Sequence, residues 1–302
     1  MGPIINPIGS KMGQSQKISL LVRTVSYLKA VQIINRIKRK FISAKVDESE
    51  TPKARLSNVS GFYFIERPRS YLSGNNFLFL NKNEKLLFPL GWNDPKLPKL
   101  WLYNLHYFEG LLNADTPNSL KEDLIHQWIE QNSPGQGNGW EPYPNSLRIV
   151  NWIKWALLGN QLSESTLHSL AVQVRYLTQT VEFHLLGNHL FANAKALVFA
   201  GLFFEGPDAD NWFAQGFEIL EKQIPEQFLR DGAHFELSTT YHALLTEDLL
   251  DIIQFMLAAD KNIPNAWIKT AQRALNWLIV ITRPDGLPPL FNDAAYKITP
   301  SL

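Results

Sequence analysis

The chain has 302 residues, 45% hydrophobic and 19% charged, which is enough apolar material for one large domain or two medium ones. Its 29 Lys and Arg balance 28 Asp and Glu to a formal charge of +1, so no global field points to nucleic acid as a partner. Cysteine is absent, which excludes a disulfide framework and thiolate metal sites.

Residues 1–17, rich in Gly, Pro, Ser and Gln, read as disordered. Residues 18–60 read as an amphipathic helix followed by a linker. In KISLLVRTVSYLKAVQIINRIKRKF, Arg and Lys interrupt the apolar positions every few residues, so the stretch is not a signal peptide. It ends in a basic cluster of Arg36, Lys38, Arg39 and Lys40. Two readings stay open here: a helix lying on an anionic membrane surface, or the solvated face of a helix packed on its own domain. No apolar run reaches the roughly 20 residues that span a bilayer, so no transmembrane segment is expected. Residues 46–60, VDESETPKARLSNVS, read as a polar linker. NNFLFLNKNEKLLF then predicts a hairpin around the turn Asn81-Lys82-Asn83-Glu84.

From about residue 100 onward the pattern is helical. SLKEDLIHQWIEQN starts at a Ser119 cap, and PNSLRIVNWIKWALLGN begins with Pro and stops at Gly159-Asn160. In SESTLHSLAVQVRYLTQTVEFHL the residues Leu167, Leu170, Val174, Leu177 and Val181 recur three and four apart. NHLFANAKALVFAGLFFEG is apolar nearly all round and should be buried on every side. Three more segments follow, each bounded by Gly, Pro, Asn or Asp. One-sided helices alternating with nearly all-apolar ones predict two concentric layers of antiparallel helices over residues 61–302. The fold class is therefore mainly α, an incomplete α/α toroid with a small N-terminal hairpin.

Four polar-aromatic clusters fall at predicted helix ends. WLYNLHYFEG holds His106; GNGWEPYPNSLRIVNW holds Trp140, Glu141, Tyr143 and Arg148. LLGNHLFANAK holds Asn188 and His189, and HFELSTTYH holds His234, Glu236, Tyr241 and His242. Most of the 36 aromatic rings in such a chain fill core, whereas surface Trp and Tyr suit stacking against flat apolar ligand faces. Asn188 has a structural reading as a helix cap, and Ser238, Thr239 or Thr240 has the same reading for the helix near Tyr241. His189 reads either as a core histidine or as a residue at the mouth of a central cleft. A Tyr between two histidines serves as proton donor or acceptor most readily where neighbouring cations lower its pKa. No H-E-x-x-H, GxSxG or phosphate-binding Gly loop is present, and no metal or other cofactor is expected.

Together WLYNLHYF, WEPYPNSLRIVNWIKW, HLLGNHLFANAKALVFAGLFF and DGAHFELSTTYHALLTEDLLD resemble the heparinase II/III-like polysaccharide lyases. The likeness is to members associated with bacterial surface-polysaccharide gene clusters. The resemblance implies an α/α toroid followed by a C-terminal β-sandwich, and β-elimination of a uronic-acid polysaccharide. It implies that Asn188 neutralises the substrate carboxylate, with His189 beside it as donor or base, and that Tyr241 is the acid or serves as both. Arg148, Trp140, Tyr143, His106 and Glu236 are weaker candidates for holding sugar. Family members often read HFERSPMYH where this chain has HFELSTTYH, so Leu237 stands where a cation is expected. The β-sandwich would lie beyond residue 302, so a separate β-sandwich domain or chain is a candidate partner. Family lyases commonly work in the periplasm, whereas no export signal is read here. Two other classes remain open. A glycoside hydrolase would draw its carboxylates from Glu141, Asp231, Glu236 and Asp293, and a truncated toroid would bind glycan without turnover.

Overall fold

A computed structural model describes residues 25–55 and 62–294, together with 19, 20 and 23. The disorder expected for residues 1–17 and the last part of the expected linker lie outside the described residues. The chain divides into two units at Ser43–Ala44. In the first unit, helix α1 (Ala30–Phe41) has basic residues throughout its last turn and no buried residue.

The second unit begins with a stretch that is held rather than free. Arg175 donates to the carbonyls of Ser49 at 3.0 Å and Glu50 at 2.7 Å, and Gln179 pairs with both backbone groups of Lys45. Ala54 bridges Phe204. The polar sequence from 46 onward is thus an arm pinned along a helix by Arg175, which also pairs with Asp208.

The hairpin forms, but its turn is shifted. Strands β1 (Asn76–Phe79) and β2 (Lys82–Lys85) pair antiparallel with Phe79 opposite Lys82. The turn is therefore Leu80-Asn81, and both residues have positive φ, 53° and 60°, as a tight two-residue connection requires. Lys82, Asn83 and Glu84, expected in the turn, belong to the strand.

Eight helices follow: α2 (Lys99–Tyr107), α3 (Asn118–Gln131), α4 (Pro142–Leu157), α5 (Glu164–Thr180), α6 (Gly187–Phe203), α7 (Pro207–Gln227), α8 (Thr239–Ala258) and α9 (Asn265–Ile281). Pro117, not a Ser119 cap, precedes α3. Burial alternates along this series. Fourteen of the 17 residues of α6 and 12 of the 16 of α4 are buried, against 8 of 21 in α7 and 5 of 17 in α9. Helices α4, α6 and α8 form an inner layer, and α5, α7 and α9 an outer one, the incomplete toroid that the pattern predicts. Helix α6 packs on α4, α7 and α8 at once. Its approach to α7 is backbone to backbone. A Cβ on Gly201 would lie 2.5 Å from the Phe213 nitrogen, and one on Gly216 would lie 2.7 Å from the Ala194 carbonyl, so both positions exclude any side chain.

Candidate active site

The inner layer leaves one cleft, with about 590 Å³ of space including its open mouth. It is lined by Tyr143 and Ser146 of α4, Asn188 and Lys195 of α6, and Glu247 and Asp248 of α8, with Arg67 and Glu109 from the preceding segments. Its mouth takes Asn188 from the first turn of α6 and Leu244 and Leu245 from the second turn of α8, and His189 and Tyr241 adjoin it through Tyr143. Two backbone irregularities set it up. Leu186 adopts φ 66°, ψ −153°, a region that favours glycine, and Leu237 has φ 54°. Both precede a helix whose first turn carries a predicted site residue.

Asn188 is not a cap. Helix α6 starts at Gly187, so Asn188 sits within the first turn, half-buried, with no side-chain hydrogen bond among the described residues. Its carboxamide is left to the cleft. His189 is oriented on two sides. Its Nδ1 lies 3.1 Å from Glu182 Oε2, and its ring stacks on Tyr143 at 4.4 Å between centroids. A carboxylate only accepts, so Nδ1 carries the proton and Nε2 is the unprotonated nitrogen of the neutral ring. Glu182 is itself fixed: its backbone N–H donates to Asn193 Oδ1 at 2.8 Å, and Asn193 Nδ2 donates onward to Ser146 Oγ at 3.0 Å. Glu182 went unnoticed in the sequence, where it stands alone between two helices.

Tyr241 occupies the first turn of α8, and Ser238 is the cap of that helix, accepting from the Tyr241 N–H at 3.5 Å. Burial, then the carboxylates of Glu236 and Asp293, raise the Tyr241 phenol above its usual pKa. No neighbouring cation appears among the causes of this shift. His234 and His242 are buried and cannot supply charge: burial pushes His234 down to about 4 and lowers His242 as well. The Tyr241 phenol is therefore held protonated. Burial and Asp293 raise the Glu236 carboxyl too, while His189 acts in the opposite direction. The segment that carries Asp293 is fastened to this loop. Asn292 donates to the carbonyls of Glu236 and Leu237 at 3.0 and 3.1 Å, and Thr239 donates to that of Pro289.

Beneath the mouth lies a network of buried charge that the sequence reading missed. Lys154 of α4 and Lys195 of α6 both contact Asp251 Oδ2 of α8 at 2.5 Å, Lys195 reaches Asp248 at 2.6 Å, and Arg67 reaches Glu247 at 2.8 Å. Burial opposes the charge on Lys195, but Asp248 and Asp251 outweigh it and raise its pKa. The network ties all three inner helices together under the cleft. A signal for it existed, since single cations inside almost wholly apolar helices stay buried only when paired.

Three sequence candidates do not reach the cleft. Arg148 is fully buried, donating to Gln173, Asn145 and the Gly139 carbonyl at 2.9, 2.8 and 2.7 Å with its guanidinium 3.8 Å over the Trp128 ring. His106 is fully buried; it accepts from the Trp128 indole at 2.9 Å and donates to the Trp92 carbonyl, and burial and Arg148 push its pKa down to about 3. Trp140 is 3% exposed and gives its indole N–H to the Asn132 carbonyl. These residues brace the core, and sugar has no access to them. Of the four carboxylates considered for hydrolysis, Glu141 is engaged by Lys99 and Tyr103, and Asp231 accepts from the Ala233 N–H. Glu236 and Asp293 are close enough to Tyr241 to act on its phenol. Among the described residues no group of three His, Asp or Glu side chains is arranged to hold a metal ion.

Part of the sequence and the arrangement of helices are similar to those of known heparin-sulfate lyases. A heparin-sulfate lyase of Pedobacter heparinus is 32% identical over 111 residues, 36% of this chain and 17% of that protein. One from Bacteroides stercoris is 29% identical over 115 residues, with the same shares covered. A solved structure of heparinase III superposes with a TM-score of 0.57 at 18% identity, covering 89% of this chain and 46% of that one. A heparan sulfate lyase mutant from Pedobacter heparinus superposes at 0.50 and 20% identity, covering 94% and 49%. At these identities the superpositions speak to the fold, and the chain spans about half the length of either structure. The model of the heparinase II/III N-terminus matches residues 125–300, more than half of the chain and every residue of the cleft mouth named above. The protein thus belongs to the heparinase II/III family.

Proposed function

We propose that this chain carries the toroid part of a polysaccharide lyase that cleaves a uronic-acid polymer by β-elimination, in bacterial surface-polysaccharide metabolism. What supports the reading is that Asn188 lines the cleft, His189 stacks on the cleft-lining Tyr143, and His189 and Tyr241 both interact electrostatically with Glu236. In this reading Asn188 donates to the C5 carboxylate and stabilises the charge that builds there. His189 Nε2, unprotonated because Glu182 holds the proton on Nδ1, removes the C5 proton. The electron pair forms the C4–C5 double bond, the C4–O bond breaks, and the Tyr241 phenol protonates the departing oxygen. No water is consumed. A proton passing from His189 to the Tyr241 phenolate restores both groups. The raised phenol pKa supports the acid role for Tyr241 over the base role. Tyr143 offers a ring beside His189, and Glu236, near Tyr241, is a hydrogen-bond partner for sugar hydroxyls. A β-sandwich domain, in this chain's full reading frame or as a separate chain, closes the open side of the cleft.

Incubation with a panel of uronate polymers, followed by ultraviolet absorbance of the conjugated unsaturated uronate, tests this. Absorbance that disappears in Asn188→Ala is expected. New saturated reducing ends without absorbance would instead assign hydrolysis to Glu236 and Asp293. Glycan binding with no product of either kind would leave a binding toroid.

A further inference from the structure

The two units carry opposite charge. Eight Lys and Arg and no Asp or Glu lie in residues 1–43, whereas 21 Lys and Arg and 28 Asp and Glu lie in residues 44–302, so the units carry +8 and −7. The described centre of the positive part is α1. At 100° per residue, Ala30, Ile33, Ile34, Ile37 and Phe41 fall on one face, with Lys38 and Lys40 roughly 70–90° to either side. Arg36 completes the opposite polar face. None of the 12 residues is buried; Ile34 is 51% exposed, Ile37 54% and Phe41 82%. A helix with large aliphatic and aromatic side chains open to water, bordered by two lysines, has the form of an element that lies in the plane of a bilayer. Twelve residues rise about 18 Å, too short to cross one.

We propose that α1 docks this protein on an anionic membrane surface, with Ile34, Ile37 and Phe41 in the headgroup–acyl boundary and Lys38 and Lys40 on lipid phosphates. Charge chooses this occupant. The acidic body is repelled by an anionic bilayer, so the positive charge is concentrated in the element that touches it. A soluble polyanion would satisfy the cations equally well but leave the apolar face in water. The inference stands independently of the lyase reading.

The full chain should float with vesicles of phosphatidylcholine containing about 30% phosphatidylglycerol, should not float with phosphatidylcholine alone, and should be released by about 0.5 M salt. Lys38→Gln with Lys40→Gln should weaken binding by about tenfold or more. Ile37→Ser with Phe41→Ser should abolish it. All nine Trp lie in the other unit, so an unchanged Trp-monitored unfolding transition shows that these variants leave the body folded. Equal flotation with neutral vesicles, or none with anionic ones, overturns the proposal. So does binding that survives Ile37→Ser with Phe41→Ser and is competed away by a soluble polyanion, which would reassign the cations to a polyanion.

Discussion

Two polar-aromatic clusters of this protein have nearly the same composition and opposite situations. Around Arg148 a histidine, two tryptophans and a cation are sealed from water, and each polar atom described above has a protein partner. Around His189 a histidine, two tyrosines and an asparagine are half-buried; His189 is fixed by Glu182 and the Tyr143 ring, and Tyr143 and Asn188 line the cleft. The first arrangement cannot receive a ligand without losing its own bonds. The second is held from behind and unsatisfied in front, which is what binding requires. Partner count separates the two clusters, and residue type does not.

Arg148→Ala bears hardest on this contrast. It removes a buried cation and strands the acceptors of Gln173, Asn145 and Gly139, so urea unfolding should show a loss of about 3–5 kcal/mol. A stable Arg148→Ala protein with selectively lost turnover would move Arg148 into the site. Tyr241→Phe should do the reverse, lowering kcat by about 10²–10⁴ with the thermal midpoint unchanged. Acid should strike the sealed cluster first. His106 titrates near 6.5 when unfolded and is pushed down to about 3 when folded. Its contribution is complete above pH 6.5 and falls as pH drops toward 3, by about 2 kcal/mol at pH 5. His234, pushed down to about 4, adds loss of the same sign. Urea midpoints at pH 7, 6 and 5 check this, and a flat profile would contradict the buried neutral assignment. The smallest effect is expected for Glu182→Gln, which keeps the shape but frees the His189 tautomer. Turnover should drop about 10- to 100-fold at constant KM and stability.

The sequence made the layers legible because the helical period and the contrast between one-sided and all-apolar segments survive without any knowledge of contacts. The cap at Ser238 and the burial of α6 could be read in the same way. The hairpin turn was misplaced by the position of its polar residues: Lys82 and Glu84 look like turn residues but lie on an exposed or half-exposed strand. Arg148 illustrates a harder limit. Its place in a helical pattern says nothing about whether the guanidinium faces a cleft or an inward bed of carbonyls. Residues 188 and 241 lie in the first turns of different inner helices, so composition and spacing could nominate each of them but not join them. The family resemblance joined them; geometry then added Glu182 and the charge network below.

One further consequence follows from where α6 and α8 begin. Each helix presents the positive end of its peptide dipoles at its first turn, worth roughly half an elementary charge. Asn188 and Tyr241 stand in these first turns, on a unit whose side chains sum to −7. In the proposed reading, this part of the attraction for a substrate carboxylate comes from backbone amides, which do not titrate. Capture of an acidic chain at this mouth should persist across the pH range in which histidines gain and lose their charge.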